Sequence, residues 1–270
     1  MKKFALLFAC AAVALMTACE GDNPSGTGGD MPVVTGVAVN WDASSGVDIV
    51  LTWTAVEDAE GYKVWFSQTS GGTPQEVGDV ATTTFTHTAS SAGYYYVTAY
   101  EDDDASSGYS AAVNTLPNII TTPYIIYDNN APETYHSGFK FGFEGGQTGL
   151  AGSMPFAAEK DIYAYESDPV SPQGIAFCSG DAAPFGGGHH TEMAAADGGS
   201  VSVAPASGYW VSGNIIETDV IFCKLFDGYY AKIIVGDIEG PVGGSTNGTS
   251  ITFTYEIQTH AGIRLFTTSN

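Results

Sequence analysis

Ser250-Ile-Thr-Phe-Thr-Tyr-Glu-Ile-Gln258 is the stretch on which the fold class turns. Ile251, Phe253, Tyr255 and Ile257 share one parity, and Thr252, Thr254, Glu256 and Gln258 share the other. Alternation with a period of two marks an extended chain, with its apolar parity in a core and its polar parity toward solvent. Upstream, residues 218–226 and 229–237 flank Asp227-Gly228, a dipeptide that favours a type I′ hairpin turn. Asp161-Ile-Tyr-Ala-Tyr165 reads as a further strand, and Phe139, Phe141 and Phe143 alternate in residues 138–146. No stretch carries a convincing helical period, and no internal repeat is present.

The first half has the same texture. Ile49, Leu51 and Trp53 alternate, as do Tyr62, Val64 and Phe66 with Lys63 turned outward, and then Tyr95, Val97 and Ala99. Turn-forming clusters at 70–72 and 103–108 separate these runs, the spacing of a β-sandwich. The expected organisation is all-β: one sandwich over 32–116, a linker over 117–123, and a second antiparallel β-rich domain over 124–270.

The N-terminus is of another kind. Lys2 and Lys3 precede an uncharged apolar run from Phe4 to Met16, shorter than the ~20 residues a spanning helix needs. Thr17 and Ala18 then lead to Cys19. This pattern resembles the signal peptide and lipobox of bacterial lipoproteins. The resemblance implies cleavage after residue 18, a lipid on Cys19, and an exported chain held to the outer membrane, on its periplasmic or cell-surface face. Residues 19–31, rich in Gly, Ser and acids, read as a flexible tether. No later segment is apolar enough to serve as a second anchor.

Charge narrows the partners. Removing residues 1–18 takes two of the eight basic residues and none of the thirty acidic ones, so the charge moves from −22 to −24. A chain this acidic is repelled by nucleic acid, which argues against a DNA or RNA partner. With 44% apolar and 12% aromatic residues it has ample material for a core.

Two family resemblances follow. Leu51-x-Trp53, Ala59-Glu-Gly-Tyr62-x-Val64, Tyr95-x-Val97-x-Ala99 and Gly108-x-Ser110 together resemble a fibronectin type III domain over 32–116. That implies a seven-stranded sandwich with Trp53 in its core and a corner tyrosine on the sixth strand, Tyr95 by alternation. The run from Val220 to Val235, with Asp-Gly at its turn, followed by Ile251–Gln258, resembles the end of HmuY-like lipoprotein domains. Asp161-Ile162 fits an earlier strand of that family, although Lys160 stands where its members carry Trp. The second resemblance covers about a third of its domain and implies a β-rich extracytoplasmic module, with haem as a possible cofactor.

Chemistry-bearing residues are few. Cys178 and Cys223 remain after processing; in an oxidising compartment one disulfide is the natural expectation and two buried thiols the alternative. Of His87, His136, His189, His190 and His260, only His189-His190 suggests a ligand site, in a glycine-rich loop expected to be mobile, with Glu192 nearby. Trp65, outward by alternation, and Trp210 are candidate contacts for a sugar or protein, with packing as the alternative for each. Glu101–Asp104 offers hard oxygen ligands for calcium but lacks a calcium-loop spacing. No nucleophile elbow or metal-protease motif occurs. The expectation is therefore a non-catalytic, membrane-anchored binding lipoprotein, its sandwich a spacer and its C-terminal domain facing an unidentified protein, glycan or small molecule. The alternatives are an HmuY-like haem-binding lipoprotein and an accessory or catalytic polysaccharide-acting protein.

Overall fold

A computed structural model describes residues 31–101, 107–129, 131–132, 134–166, 174–196, 200–240 and 248–268. The signal segment, Cys19, nearly all of the tether and Asp102–Asp104 lie outside these residues. The chain is all-β, and among the described residues the only helical element is a 3-10 turn at Phe156–Ala158.

Among the described residues, seven strands build the first sandwich. One sheet has the order β1-β2-β5, with β1 at Ala38–Val39, β2 at Asp48–Thr52 and β5 at Thr84–Thr88. The other has the order β4-β3-β6-β7, with β3 at Gly61–Ser67, β4 at Gln75–Val80, β6 at Tyr94–Tyr100 and β7 at Val113–Asn114. All pairings are antiparallel. Ile49, Leu51, Trp53, Tyr62, Val64, Phe66, Tyr95, Val97 and Ala99 fill the space between the sheets. Each large side chain buried in this way contributes about 1.5–3 kcal/mol. Trp53 meets Tyr62 edge-on at 5.5 Å. The hydroxyl of Tyr95 bonds His87 Nδ1 at 2.8 Å inside the sandwich, so the backbone corner bond expected of it is replaced by a side-chain pair.

The second sandwich has two five-stranded sheets. The first is ordered β13-β15-β16-β17-β8, from β8 (Asn118–Tyr127), β13 (Glu192–Ala195), β15 (Val220–Lys224), β16 (Tyr230–Glu239) and β17 (Ser250–Ile257). The facing sheet is β10-β9-β11-β12-β14, from β9 (Gly138–Lys140), β10 (Gln147–Gly149), β11 (Ile162–Glu166), β12 (Ile175–Ser179) and β14 (Ser212–Asn214). Ile251, Phe253, Tyr255 and Ile257 enter the core between the sheets with Phe139, Phe141, Phe177 and Ile221.

Four expectations are corrected. Residues 118–123, expected within a linker, belong to β8, which pairs with β17 and leaves almost no connection between the sandwiches. The Asp227-Gly228 hairpin forms, but with Gly228 N–H donating to Leu225 O and Gly228 at φ 86°; this is a three-residue loop closed by a left-handed glycine, not the two-residue type I′ turn. Cys178 and Cys223 are free, buried thiols. Neighbours on a strand point to opposite faces; on β12 it is Phe177 that faces the sandwich core, so Cys178 turns outward onto Tyr163 while Cys223 points inward. The fourth is the outward parity of β17. Glu256 and Gln258 are 2% and 0% exposed, because the chain beyond β17 folds back over them.

That last segment does not stay with its own domain. Ile263 and Leu265 pack in the core of the first sandwich. Glu256 meets Lys232, directly opposite on β16, at 2.7 Å, both side chains being essentially inaccessible. Both carboxylate oxygens of Glu256 accept from Thr267, one from its N–H at 3.0 Å and the other from its hydroxyl.

Candidate functional site

An aromatic-walled cavity of about 260 Å3 opens at one end of the second sandwich. Three local structures build it. The 225–229 hairpin loop is held by Leu225 N–H donating to Tyr229 O at 2.9 Å, and it leaves Phe226 58% exposed at its tip. Beyond β9, Phe143 leaves the core, stands 40% exposed and meets Tyr229 edge-on at 5.0 Å. The third wall comes from the loop that ends at His189, whose ring lies against Phe226 with centroids 3.9 Å apart.

The glycine-rich loop is packed rather than mobile. Gly188 N–H donates to Gly180 O at 3.0 Å, Gly180 N–H to Asp161 O at 2.8 Å, and His189 N–H to Lys160 O at 2.8 Å. A Cβ on Gly180 or Gly188 would fall on the backbone carbonyl of Lys160, well inside van der Waals contact. Glycine is needed there because two backbones touch. The consequence is a fixed position for His189 over the start of β11.

At the base of the cavity His189 Nδ1 lies 2.8 Å from Asp161 Oδ1, while Asp161 Oδ2 accepts from Phe141 N–H at 2.7 Å. Burial pushes the Asp161 carboxyl above its ordinary value; the His189 and Phe141 hydrogen bonds oppose this, and the nearby Asp227 charge adds to it. A carboxylate accepts, so the hydrogen of this bond sits on Nδ1, and Nε2 is the ring nitrogen left for another partner. Lys140, bound to Glu159 at 3.0 Å, and Asp227 complete the rim. The arrangement offers a small ligand four aromatic side chains beside one carboxylate-oriented imidazole.

The other candidates are not brought to this place. His190 turns to Asp181, 2.8 Å away on the exposed surface, so the adjacent histidines serve different carboxylates. Trp65 donates from Nε1 to Thr98 at 3.1 Å and packs edge-on against Tyr109 at 5.4 Å on the outer face of the first sandwich. Trp210 exchanges backbone hydrogen bonds with Met193 and lies over Gly213, partly buried against the second core. His136 bonds Thr148 at 3.0 Å, and His260 stacks on Trp41 at 3.5 Å. Among the described residues no three His, Cys, Asp or Glu side chains are grouped to hold a metal ion. Burial raises both thiols above their ordinary range, so neither is primed as a nucleophile.

Sequence reasoning named His189 and missed Asp161, Phe141, Phe143, Phe226 and Tyr229 as its companions. One signal was present: Phe226-Asp-Gly-Tyr229 sets aromatics around a hairpin turn, and Phe226 stands at its tip, where burial cannot be its reason. No family model matches the chain, and no curated protein matches it.

Proposed function

We propose that this chain is an exported, lipid-anchored binding protein of the cell envelope, non-catalytic, whose second sandwich captures a small hydroxylated ring such as a single sugar unit. The lipobox at Cys19 supports the anchoring, and the 3+4 strand order of the first sandwich agrees with a fibronectin type III module. The observation that carries the binding role is the set of four aromatic side chains around the Asp161–His189 pair. Aromatic side chains suit the C–H face of a sugar, and a carboxylate-oriented imidazole suits one of its hydroxyls. At about 260 Å3 the cavity lies just under the ~300–1,000 Å3 of drug-sized sites, so it suits one ring better than a macrocycle.

The same geometry weighs against catalysis on polysaccharide. Asp161 and Asp227 both line the cavity, but both oxygens of Asp161 are already bonded to protein. A general acid must aim its proton at the glycosidic oxygen, and Asp161 instead orients His189. A haem-binding reading has one supporting feature, since a carboxylate-oriented imidazole with a free second nitrogen is how metal-ligating histidines are commonly held.

The test is saturation-transfer NMR on the full chain with a panel of monosaccharides and disaccharides, together with a haemin titration followed in the visible. Binding of a sugar, abolished in both Phe226→Ala and His189→Ala, supports the proposal. If no sugar binds, or binding survives Phe226→Ala, the proposal fails. A Soret shift lost in His189→Ala would move the assignment to haem.

A further inference from the structure

We infer that residues 259–266 act as a strap that makes the first sandwich and the hairpin loop of the cavity one cooperative unit, so that the first sandwich is a structural support of the site and not a passive spacer. The strap touches three parts of the molecule in turn. Gly262 N–H donates to Gly228 O at 2.8 Å, holding the loop that carries Phe226 and Tyr229. Gly46 N–H donates to Gly262 O at 2.8 Å and Arg264 N–H to Gly46 O at 2.9 Å, which joins the strap to the turn before β2. His260 stacks on Trp41 with an interplanar angle of 12°.

The strap then enters the first core. Ile263 and Leu265 are 1% and 0% exposed among Ile49, Leu51 and their neighbours, and Ala92 N–H donates to Phe266 O at 2.9 Å. Its other edge is paired as well: Ala204 N–H donates to Arg264 O at 2.8 Å and Phe266 N–H to Ser202 O at 2.7 Å. Gln258 Nε2 donates to Thr115 O at 3.2 Å and to Leu265 O, tying the strap's root to the end of the first sandwich. The apolar side chains of residues 263–266 thus divide between the first core and a smaller cluster on the face of β15 that points away from the second core. Leu265 belongs to the first, while Phe266 packs with Ala204, Val220 and Phe222 of the second half. An element shared by two clusters opens only when both lose their packing, and elements that open together form one cooperative unit.

The coupling needs no ligand; only its consequence for binding rests on the cavity proposed above. Hydrogen exchange of the full chain, resolved by peptide, measures it directly. In Leu265→Ala the amides of β2 and β3 and those of 225–235 are expected to exchange faster together, by about 30-fold or more, the lower end for a Leu→Ala cavity. In the milder Trp41→Ala, which removes a partly buried side chain at the edge of the first core and keeps its fully buried residues, faster exchange is expected at 260–264 and at 226–229. Acceleration of both sandwiches by Leu265→Ala and spread to 226–229 in Trp41→Ala support the strap. If Leu265→Ala speeds only one sandwich, or Trp41→Ala leaves 226–229 unchanged, the inference is overturned. Coupled exchange in a chain that binds no sugar would count against the proposed function alone.

Discussion

Replacing Glu256 with Gln tests the physical account at its most costly point. The Lys232 and Glu256 side chains are 0% and 2% exposed and 2.7 Å apart, so neither charge has water to return to when its partner is lost. Glu256→Gln keeps the shape, but its single accepting oxygen can replace only one of the two carboxylate oxygens that Thr267 and Lys232 use, and the Lys232 ammonium then faces an uncharged amide. Removing one partner of a buried pair costs about 3–5 kcal/mol, because the remaining charge stays desolvated. In a chain of this size 1 kcal/mol moves Tm by about 2–4 °C, so a fall of about 6–20 °C is expected. Replacing both residues, as Lys232→Met with Glu256→Leu, removes both charges of the pair, and such exchanges are often neutral or stabilising. The assay is urea unfolding followed by tryptophan fluorescence, on Glu256→Gln and on the cycle of Lys232→Met, Glu256→Leu and their double variant. A single variant within about 1 kcal/mol of the parent, the range of exposed pairs, would refute the buried-pair account. So would a double variant less stable than either single.

Three further outcomes follow from the same geometry. Peptide mapping after thiol alkylation of unreduced, denatured protein should find both Cys178 and Cys223 labelled, and neither labelled in the native chain; a Cys178–Cys223 cross-linked peptide would contradict the facing of β12. Gly188→Ala should destabilise by roughly 2 kcal/mol or more, an overpacking cost, and loosen His189, seen as a lower urea midpoint; an unchanged midpoint would mean the loop is not packed on Lys160. Asp161 has a raised pKa in the folded state, so its contribution favours folding at low pH and is lost as pH rises through the folded value, starting from about 3.8. The stability of the parent relative to Asp161→Asn should therefore decline as pH rises from about 4; a difference that grows with pH over that range would reverse the sign and the account.

How much of this was legible can be judged residue by residue. Period-two alternation placed Ile251, Phe253, Tyr255 and Ile257 in one core, and Leu51, Val64 and Val97 in another, before any contact was known. Alternation works because strand geometry alone decides which side chains share a face. It failed at Glu256 and Gln258, whose solvent side is covered by a segment that no local pattern connects to them. It had nothing to say at Cys178, where the outer face of β12 is buried too and both parities are apolar, so the expected disulfide rested on compartment alone.

The sequence by itself determined the all-β class and the order of a sandwich and a second antiparallel β-rich domain, because hydrophobic period and turn chemistry are local properties of the chain. Only the tertiary structure decided that residues 118–123 are strand, that His189 and His190 part ways, and that Asp161, Phe226 and Tyr229 meet around one cavity. The tail's place in the first core was likewise beyond a local reading. Ile263 and Leu265 sit more than two hundred residues from Ile49, and a contact across that separation is chosen by the packing of whole sheets, which no window of sequence contains.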